Sequence, residues 1–290
     1  MSFIKILSFI SIILIILFCF LSSNTNPITY NKDITLKFIP KPYYLQHKIG
    51  NKEEILNLSK NFSFPFILKP NRCSTCGNNV HKINNFSELQ NIVKSYPHDY
   101  LMIQELAKQE LEGAILYERW PNIKKGKIIS IIQKEPKSKG NVALNLQTSK
   151  IKDISFLNNS KLEKIINKIS NKIPGFYIGR YDIKFRSRED LKAGNFKILE
   201  LNSGFGIDSS LYTNSTKHIT FKKIPGQLRW FSKRVIVGLI NLANPKNNIL
   251  ETIKNKIKEI SNIYQCVKLR NKIYKWIIIS LFIYLLIDLY

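Results

Sequence analysis

From Gly175 to Gly206 the chain reads GFYIGRYDIKFRSREDLKAGNFKILELNSGFG, two apolar-alternating runs joined by a polar link. Successive side chains of a strand point to opposite faces. Arg180 and Asp182 therefore share one face of the first run, while Tyr181, Ile183 and Phe185 take the other. In the second run Glu200 and Asn202 share a face, and Leu199 and Leu201 the opposite one. Arg186 to Asn195, with Gly194, supplies the polar connection of what reads as a β-hairpin. One face packs; the other carries a guanidinium, two carboxylates and a carboxamide. Two carboxylates about 4 Å apart repel by roughly 4 kcal/mol at an effective dielectric near 20. The polar face is thus either a solvated face of an ordinary amphipathic hairpin or the holder of a cation. Magnesium takes oxygen ligands, commonly one or two carboxylates with phosphate oxygens, whereas zinc and copper prefer nitrogen and sulfur. Asp182, Glu200 and the Asn202 amide oxygen suit magnesium, and Arg180 is placed to stabilise charge on a transferred phosphoryl group.

The Arg-x-Asp run followed by Glu-x-Asn resembles the metal-binding part of the ATP-grasp superfamily, within it the carboxylate-amine ligases similar to D-alanine:D-alanine ligase and glutathione synthetase. The resemblance implies that Asp182, Glu200 and Asn202 hold two magnesium ions on the phosphates of ATP, with Arg180 catalytic. The turn Ser203 to Gly206 resembles the one that supports the acyl-phosphate intermediate. Upstream, FPFILKPNRCSTCGNNVHKI (Phe64 to Ile83) is a short apolar strand ending in Lys69-Pro70, followed by a small-residue loop. Lys69 resembles the family's first phosphate-contacting lysine, a catalytic and nucleotide-binding point charge on a rigid strand. The loop corresponds to a phosphate lid, normally glycine-rich so that backbone N–H groups reach the phosphates. Here it offers Gly77 with Asn78 and Asn79. In YLMIQELAKQELEGAILYERW (Tyr100 to Trp120) an apolar strand leads into Glu105 and Leu106, and Glu112 follows. That spacing resembles the adenine hinge, which implies base contacts at Glu105 and Leu106 and a ribose contact at Glu112. Two further strands around a Gly126 turn bring Lys134, with Arg119 behind it, as the next candidate phosphate contact. The resemblance runs from Phe64 to Gly206, about half of the chain.

The 290 residues, 44% hydrophobic and 11% aromatic, can build a real core. Forty-five Lys and Arg against twenty Asp and Glu give a formal charge of +25, which points to an anionic partner, although the enrichment in Ile, Lys and Asn makes part of it compositional. No nucleic-acid-binding motif accompanies that charge, and no nucleic acid is expected. Phe3 to Leu21 is nearly unbroken in its apolar character, and Trp276 to Tyr290, extended by Ile273 and Tyr274, is a second such run. Both are candidate membrane segments for a hydrocarbon layer about 30 Å thick. Lysines and arginines on the body side of both runs place the body in the cytoplasm, where ATP is. The first run also fits a cleaved signal peptide, and the second a buried helix. The Cys73-Ser-Thr-Cys76 pair has no companion pair, so neither a zinc site nor a disulfide framework is expected, and the four scattered histidines receive no catalytic role.

These readings give an α+β chain with an ATP-grasp fold, two α/β lobes with mainly antiparallel sheets gripping ATP, flanked by terminal hydrophobic helices. The expected order is an anchor or signal-like segment over 3–21, a connector with a short helix over 22–60, and the nucleotide- and metal-binding domain over 61–215. A basic helical region over 216–272 and a possible second membrane segment over 273–290 follow. Helices are expected over Asn51 to Lys60, Phe86 to Tyr96, Leu162 to Ile173, Gln227 to Leu242 and Asn248 to Ile263. The connector is too short for the N-terminal domain that such ligases usually carry. The acceptor pocket is then built by the C-terminal helices or by a protein partner, or turnover has been lost. The leading expectation is a membrane-anchored, ATP- and magnesium-dependent ligase that activates a carboxylate as an acyl phosphate for an amine or thiol, with membrane lipid as a further partner. The alternatives are a nucleotide-binding pseudoenzyme acting as a membrane scaffold, and a phosphotransferase on the same fold.

Overall fold

The computed structural model describes residues 32–71, 77, 79–138, 144, 148–202, 210, 224–242, 250, 254 and 257. In chain order these form helix α1 (Lys32–Leu36), strand β1 (His47–Gly50), helix α2 (Lys52–Leu58), strands β2 (Phe66–Pro70) and β3 (His81–Ile83), and helix α3 (Phe86–Ser95). Strands β4 (Leu101–Glu105), β5 (Leu111–Glu118), β6 (Lys127–Pro136) and β7 (Ser149–Asp153) come next, then helix α4 (Ser160–Ser170). Strand β8 (Ile178–Phe185), helix α5 (Arg188–Ala193), strand β9 (Phe196–Asn202) and helix α6 (Ile224–Leu242) complete the order. Two antiparallel sheets result, β1-β4-β2-β3 and β7-β6-β5-β8-β9.

The first sheet covers one face with α2 and α3. Asn51 and Glu54 close a reciprocal capping box at the start of α2, and the Asn85 side chain caps α3 by accepting from Glu88 N. Phe66, Leu68, Leu101 and Ile103 then bury against Ile55, Leu89 and Val93. The alternate residues Ile67, Lys69, Met102 and Gln104 are left for the other face, toward the second sheet. That second sheet buries Ile115, Tyr117, Ile131, Tyr181, Ile183 and Phe185 under α4, whose Leu162, Ile166 and Ile169 recur at helical spacing. Met102 of β4 and Leu36 of α1 join the same core, so the two sheets share packing.

Three local features differ from the sequence expectations. The connector before Lys69 holds more than the one short helix expected of it, because it also contributes α1 and the edge strand β1, which pairs with β4 from His47↔Gln104 to Gly50↔Leu101. The link Arg186 to Asn195 is not a loop. Ser187 caps α5 by accepting from Asp190 N, and Gly194 ends it at φ +86°. Finally, β9 carries a bulge at Leu199: Asp182 pairs with Glu200 and Ile183 with Ile198. The extra residue lets Phe196, Ile198 and Leu201 all pack inward, and it moves Leu199 from the expected packing face to the lining of the cleft between the sheets. The helices expected around Asn51, Phe86, Leu162 and Gln227 are present, with ends shifted by a few residues.

Among the described residues no helix is long and apolar enough to cross a membrane. The runs Phe3 to Leu21 and Ile273 to Tyr290 lie outside the described residues, as do Cys73, Cys76, Asn78, the turn Ser203 to Gly206 and most of Asn248 to Ile263.

Candidate functional site

The inward face of the first sheet and the β5-β6-β8-β9 face of the second enclose a cleft of about 150 Å³. Lys69, Glu105, Leu106, Glu112, Lys134, Asp182 and Glu200, residues far apart in the sequence, all line it. Asn202 and Arg180 adjoin it through Asp182.

The β8/β9 register sets Asp182 opposite Glu200 and Arg180 opposite Asn202. The Asn202 amide donates to Asp182 Oδ2 at 2.9 Å and to Glu200 Oε1 at 3.3 Å, so the three end groups converge on one point. A half-turn of that carboxamide presents its oxygen instead, giving a donor set of hard oxygens suited to magnesium. Among the described residues no cluster of three or more His, Cys, Asp or Glu side chains is available to hold a metal unaided. Two carboxylates and one amide leave up to half of an octahedron to other oxygens, as magnesium with phosphates requires. Arg180 grips Asp182 through Nε to Oδ1 at 3.1 Å and Nη2 to Oδ2 at 3.2 Å.

The lysines form a ring around these acids. Lys69 is buried at the end of β2, its Nζ donating to Gln104 Oε1 at 2.7 Å and to Leu199 O at 3.3 Å. Burial pushes its ammonium down to about 8, against the pull of Glu200 in the other direction. The carbonyl it meets belongs to the bulge, and Gln104 Nε2 donates to it as well at 3.3 Å. Lys134 Nζ donates to Glu112 Oε1 at 3.1 Å, Leu144 O at 3.3 Å and Asp182 Oδ1 at 3.4 Å. Burial alone would lower the Lys134 pKa, but Asp182 and Glu112 raise it above the usual value. Glu112 is itself raised by burial despite Lys134 and Lys184, the latter 3.6 Å from its second oxygen. Burial likewise acts to raise Glu200, yet Lys32, 3.5 Å away, and Lys69 outweigh it and hold the carboxyl well below the ordinary carboxylate range. Lys32, Lys69, Lys134, Lys184 and Arg180 outnumber the acids, Glu105 included, and such a cleft favours a polyanion.

On the lid side, Gly77 and Asn79 both take left-handed backbone, at φ +72° and +56°. The Tyr96 hydroxyl donates to Asn79 O, and the Asn79 amide lies 3.1 Å from His98 Nε2, so the end of that loop is pinned to the first lobe. Arg119 does not reach the cleft. Its Nη2 donates to Phe176 O at 2.9 Å and its guanidinium lies over the Tyr177 ring at 4.8 Å. Four contributors were not expected. Gln104 and Lys184 lie beside known candidates on strands already assigned, so alternation alone marks their face. Leu199 needed the bulge, and Lys32 carries no local motif at all.

No family model matches the sequence, and no curated protein does. Solved structures do resemble the fold. The VanG D-Ala:D-Ser ligase of Enterococcus faecalis aligns at 16% identity with a TM-score of 0.47, covering 73% of this chain and 61% of that one. The N5-carboxyaminoimidazole synthase of Aspergillus clavatus, in complex with ADP and 5-aminoimidazole ribonucleotide, aligns at 11% identity and TM-score 0.46, covering 62% and 45%. The ATP-grasp ligase PsnB, complexed with minimal precursor, aligns at 13% identity and TM-score 0.42, covering 69% and 60%. This chain therefore spans between about half and three fifths of the length of these neighbours.

Proposed function

We propose that the chain is an ATP-grasp-type ligase that uses ATP and magnesium to activate a carboxylate for attack by an amine or thiol. The observation that carries this reading is the convergence of Lys69, Lys134, Glu112, Asp182, Glu200 and Asn202 on one cleft between two antiparallel sheets. Those residue types are what a nucleoside triphosphate with its metal requires. The adenine lies at Glu105 to Ala107, where the chain passes from β4 to β5, and backbone groups there read the base edge. Glu112 orients Lys134 and offers an acceptor to the ribose hydroxyls. Lys69 and Lys134 neutralise the phosphates from opposite walls. Magnesium held by Asp182, Glu200 and Asn202 would supply charge neutralisation and alignment of the phosphate oxygens.

In the reaction so read, a carboxylate oxygen of the substrate attacks the γ-phosphorus as the bond from that phosphorus to the β–γ bridging oxygen breaks, and ADP leaves with its electron pair. Arg180 and Lys69 stabilise the charge on the transferred phosphoryl group. The amine or thiol then adds to the acyl carbon, loses a proton and expels inorganic phosphate. No side-chain nucleophile is needed, because positioning and electrostatics lower the barrier. The body is anchored to a membrane and faces the cytoplasm, a reading supported by the terminal apolar runs and their flanking lysines.

Calorimetric titration of ATP in excess magnesium into the wild type and into an Asp182→Asn, Glu200→Gln double variant tests the nucleotide site. Binding that requires magnesium and vanishes in the variant is expected. Absence of binding in folded wild type would overturn the reading. Phosphate release that requires both a carboxylate and an amine or thiol identifies the ligase, while phosphate released with a carboxylate alone, or ADP formed with a hydroxyl acceptor and no free phosphate, would not.

A further inference from the structure

A formal charge of +25 points to an anionic partner, yet the cleft engages only Lys32, Lys69, Lys134, Lys184 and Arg180. A second set of cations gathers on the connection between β5 and β6, no residue of which lines the cleft. From Arg119 to Ser130 the chain reads RWPNIKKGKIIS, with four cations and no acid. Lys124, Lys125 and Lys127 are exposed, and so are two large apolar side chains among them, Trp120 at 37% and Ile123 at 48%. These groups are held out rather than left loose. Ile123 N donates to Trp120 O across a turn in which Asn122 takes φ +67°. Arg119 Nη1 donates to Ile123 O at 3.3 Å, and Asn171 Nδ2 donates to Lys124 O at 2.8 Å. Asn167 clasps Gly126, accepting from its N at 2.6 Å and donating to its O at 3.0 Å. Each of those two asparagines is followed by an exposed lysine, Lys168 and Lys172. On the other side Lys233 of α6 lies 5.9 Å from the Trp120 ring and pairs with the buried Glu118, which also meets Lys127. One acid shared by two lysines leaves the patch positive.

We propose that the β5–β6 connection is a lipid-contact site, at which Trp120 and Ile123 enter the headgroup region of an anionic bilayer while the surrounding lysines pair with its phosphates and carboxylates. The inference rests on the membrane reading of the chain and owes nothing to the nucleotide site. A soluble acidic protein would attract the same lysines, but it does not call for an indole and an aliphatic side chain presented to solvent among them. Indole has an apolar body and a polar N–H, which suits the boundary between headgroups and acyl chains. Lysine stems can lie along apolar surface while their ammonium groups stay with the phosphates. Each lysine near an anionic leaflet adds to the attraction, and the cytoplasmic leaflet is the anionic one. The turn is already formed, so little ordering is lost on contact. A single apolar span would leave the body free to swivel, whereas a second attachment through this loop fixes which side of it faces the bilayer.

The test reconstitutes the full chain from detergent into phosphatidylcholine vesicles, with or without phosphatidylserine, whose acyl chains are plain or brominated near the headgroup. Bromine quenches tryptophan on contact. The chain has three tryptophans, Trp120, Trp230 and Trp276, so the difference between wild type and Trp120→Phe isolates the emission of Trp120. In phosphatidylserine vesicles that emission is expected to fall by roughly half or more on bromination. Ile123→Trp on the Trp120→Phe background should restore a quenched component. Lys124→Glu with Lys125→Glu is expected to remove at least about half of the quenching. Both lysines are exposed and outside the cleft, so thermal unfolding and ATP binding should stay as in wild type. Trp120 emission untouched by bromine in a chain that floats with the vesicles would overturn the inference and leave the membrane reading standing. Quenching indifferent to both phosphatidylserine and the charge reversal would overturn it as well. A chain that floats with neither kind of vesicle would overturn the membrane reading together with it.

Discussion

In the proposed function Lys69 combines two requirements that oppose each other: it must be buried to hold its place, and it must be charged to meet phosphate. Burial brings its pKa to about 8. A phosphate beside it favours the ammonium form and raises the pKa of the complex. Above about pH 8 binding must therefore take up a proton, and ATP affinity should fall by up to about tenfold per pH unit, the limit for one linked proton. Titrations across a pH series would reveal this slope, with Lys69→Arg flattening it because arginine stays charged; a flat wild-type profile would contradict it. Stability of the free protein runs in the opposite direction. The folded pKa lies below the ordinary lysine value of 10.5, so between about 8 and 10.5 the unfolded chain binds more protons, and this group's contribution to stability rises with pH across that window.

At the scale of elements, the site depends on how closely β5 and β6 approach. A Cβ at Gly113 would stand 2.3 Å from the Ile132 carbonyl oxygen and 3.0 Å from the Phe185 ring. Backbone cannot yield as a flexible side chain can, so Gly113→Ala must push β6 outward, and β6 carries Lys134. The variant is expected to lose roughly 1–3 kcal/mol of stability, the usual range for overpacking, and to bind ATP less tightly than an equally destabilised variant elsewhere. Denaturant midpoints beside calorimetry would separate the two effects. Elements also divide by how legible they were. The alternation in β8 and the apolar spacing of α4 each specify one answer, because burial on one face leaves no choice of register. Helix α5 was missed although Ser187 followed three positions later by Asp190, with Gly194 beyond, is a start and stop signal. Its six residues give too short a period to stand out in a polar link. Strand β1 has four residues at a sheet edge and owes its form to β4 rather than to any pattern of its own.

For the whole molecule, the candidate site is a property of two sheets held together. The motifs located most of its members within each sheet, but they could not show the partners that cross between lobes. Lys32 and Glu200 meet through tertiary packing of α1, and no spacing in the sequence encodes that distance. The same dependence makes the fold a sensor of its ligand. ATP with magnesium at about a hundred times its dissociation constant should add roughly 2.7 kcal/mol to stability. Thermal unfolding ought to shift upward in the wild type and stay in place in the Asp182→Asn, Glu200→Gln variant. An equal shift in both would place the nucleotide elsewhere.

The extra residue in β9 has a bearing on how chains of this kind can change in length. Leu199 is the residue whose removal would leave the parity of the strand intact, with Phe196 and Ile198 still turned inward and Glu200 and Asn202 still turned out. Loss of Lys197 or Leu201 instead would invert one half of the strand against the other. To a reader of insertions and deletions Leu199 would therefore look optional, a position that descent could add or drop without penalty to the alternation. Its main-chain oxygen nevertheless receives both Lys69 and Gln104 from the opposite sheet. A residue that pattern alone would dismiss as padding is where one half of the molecule takes hold of the other.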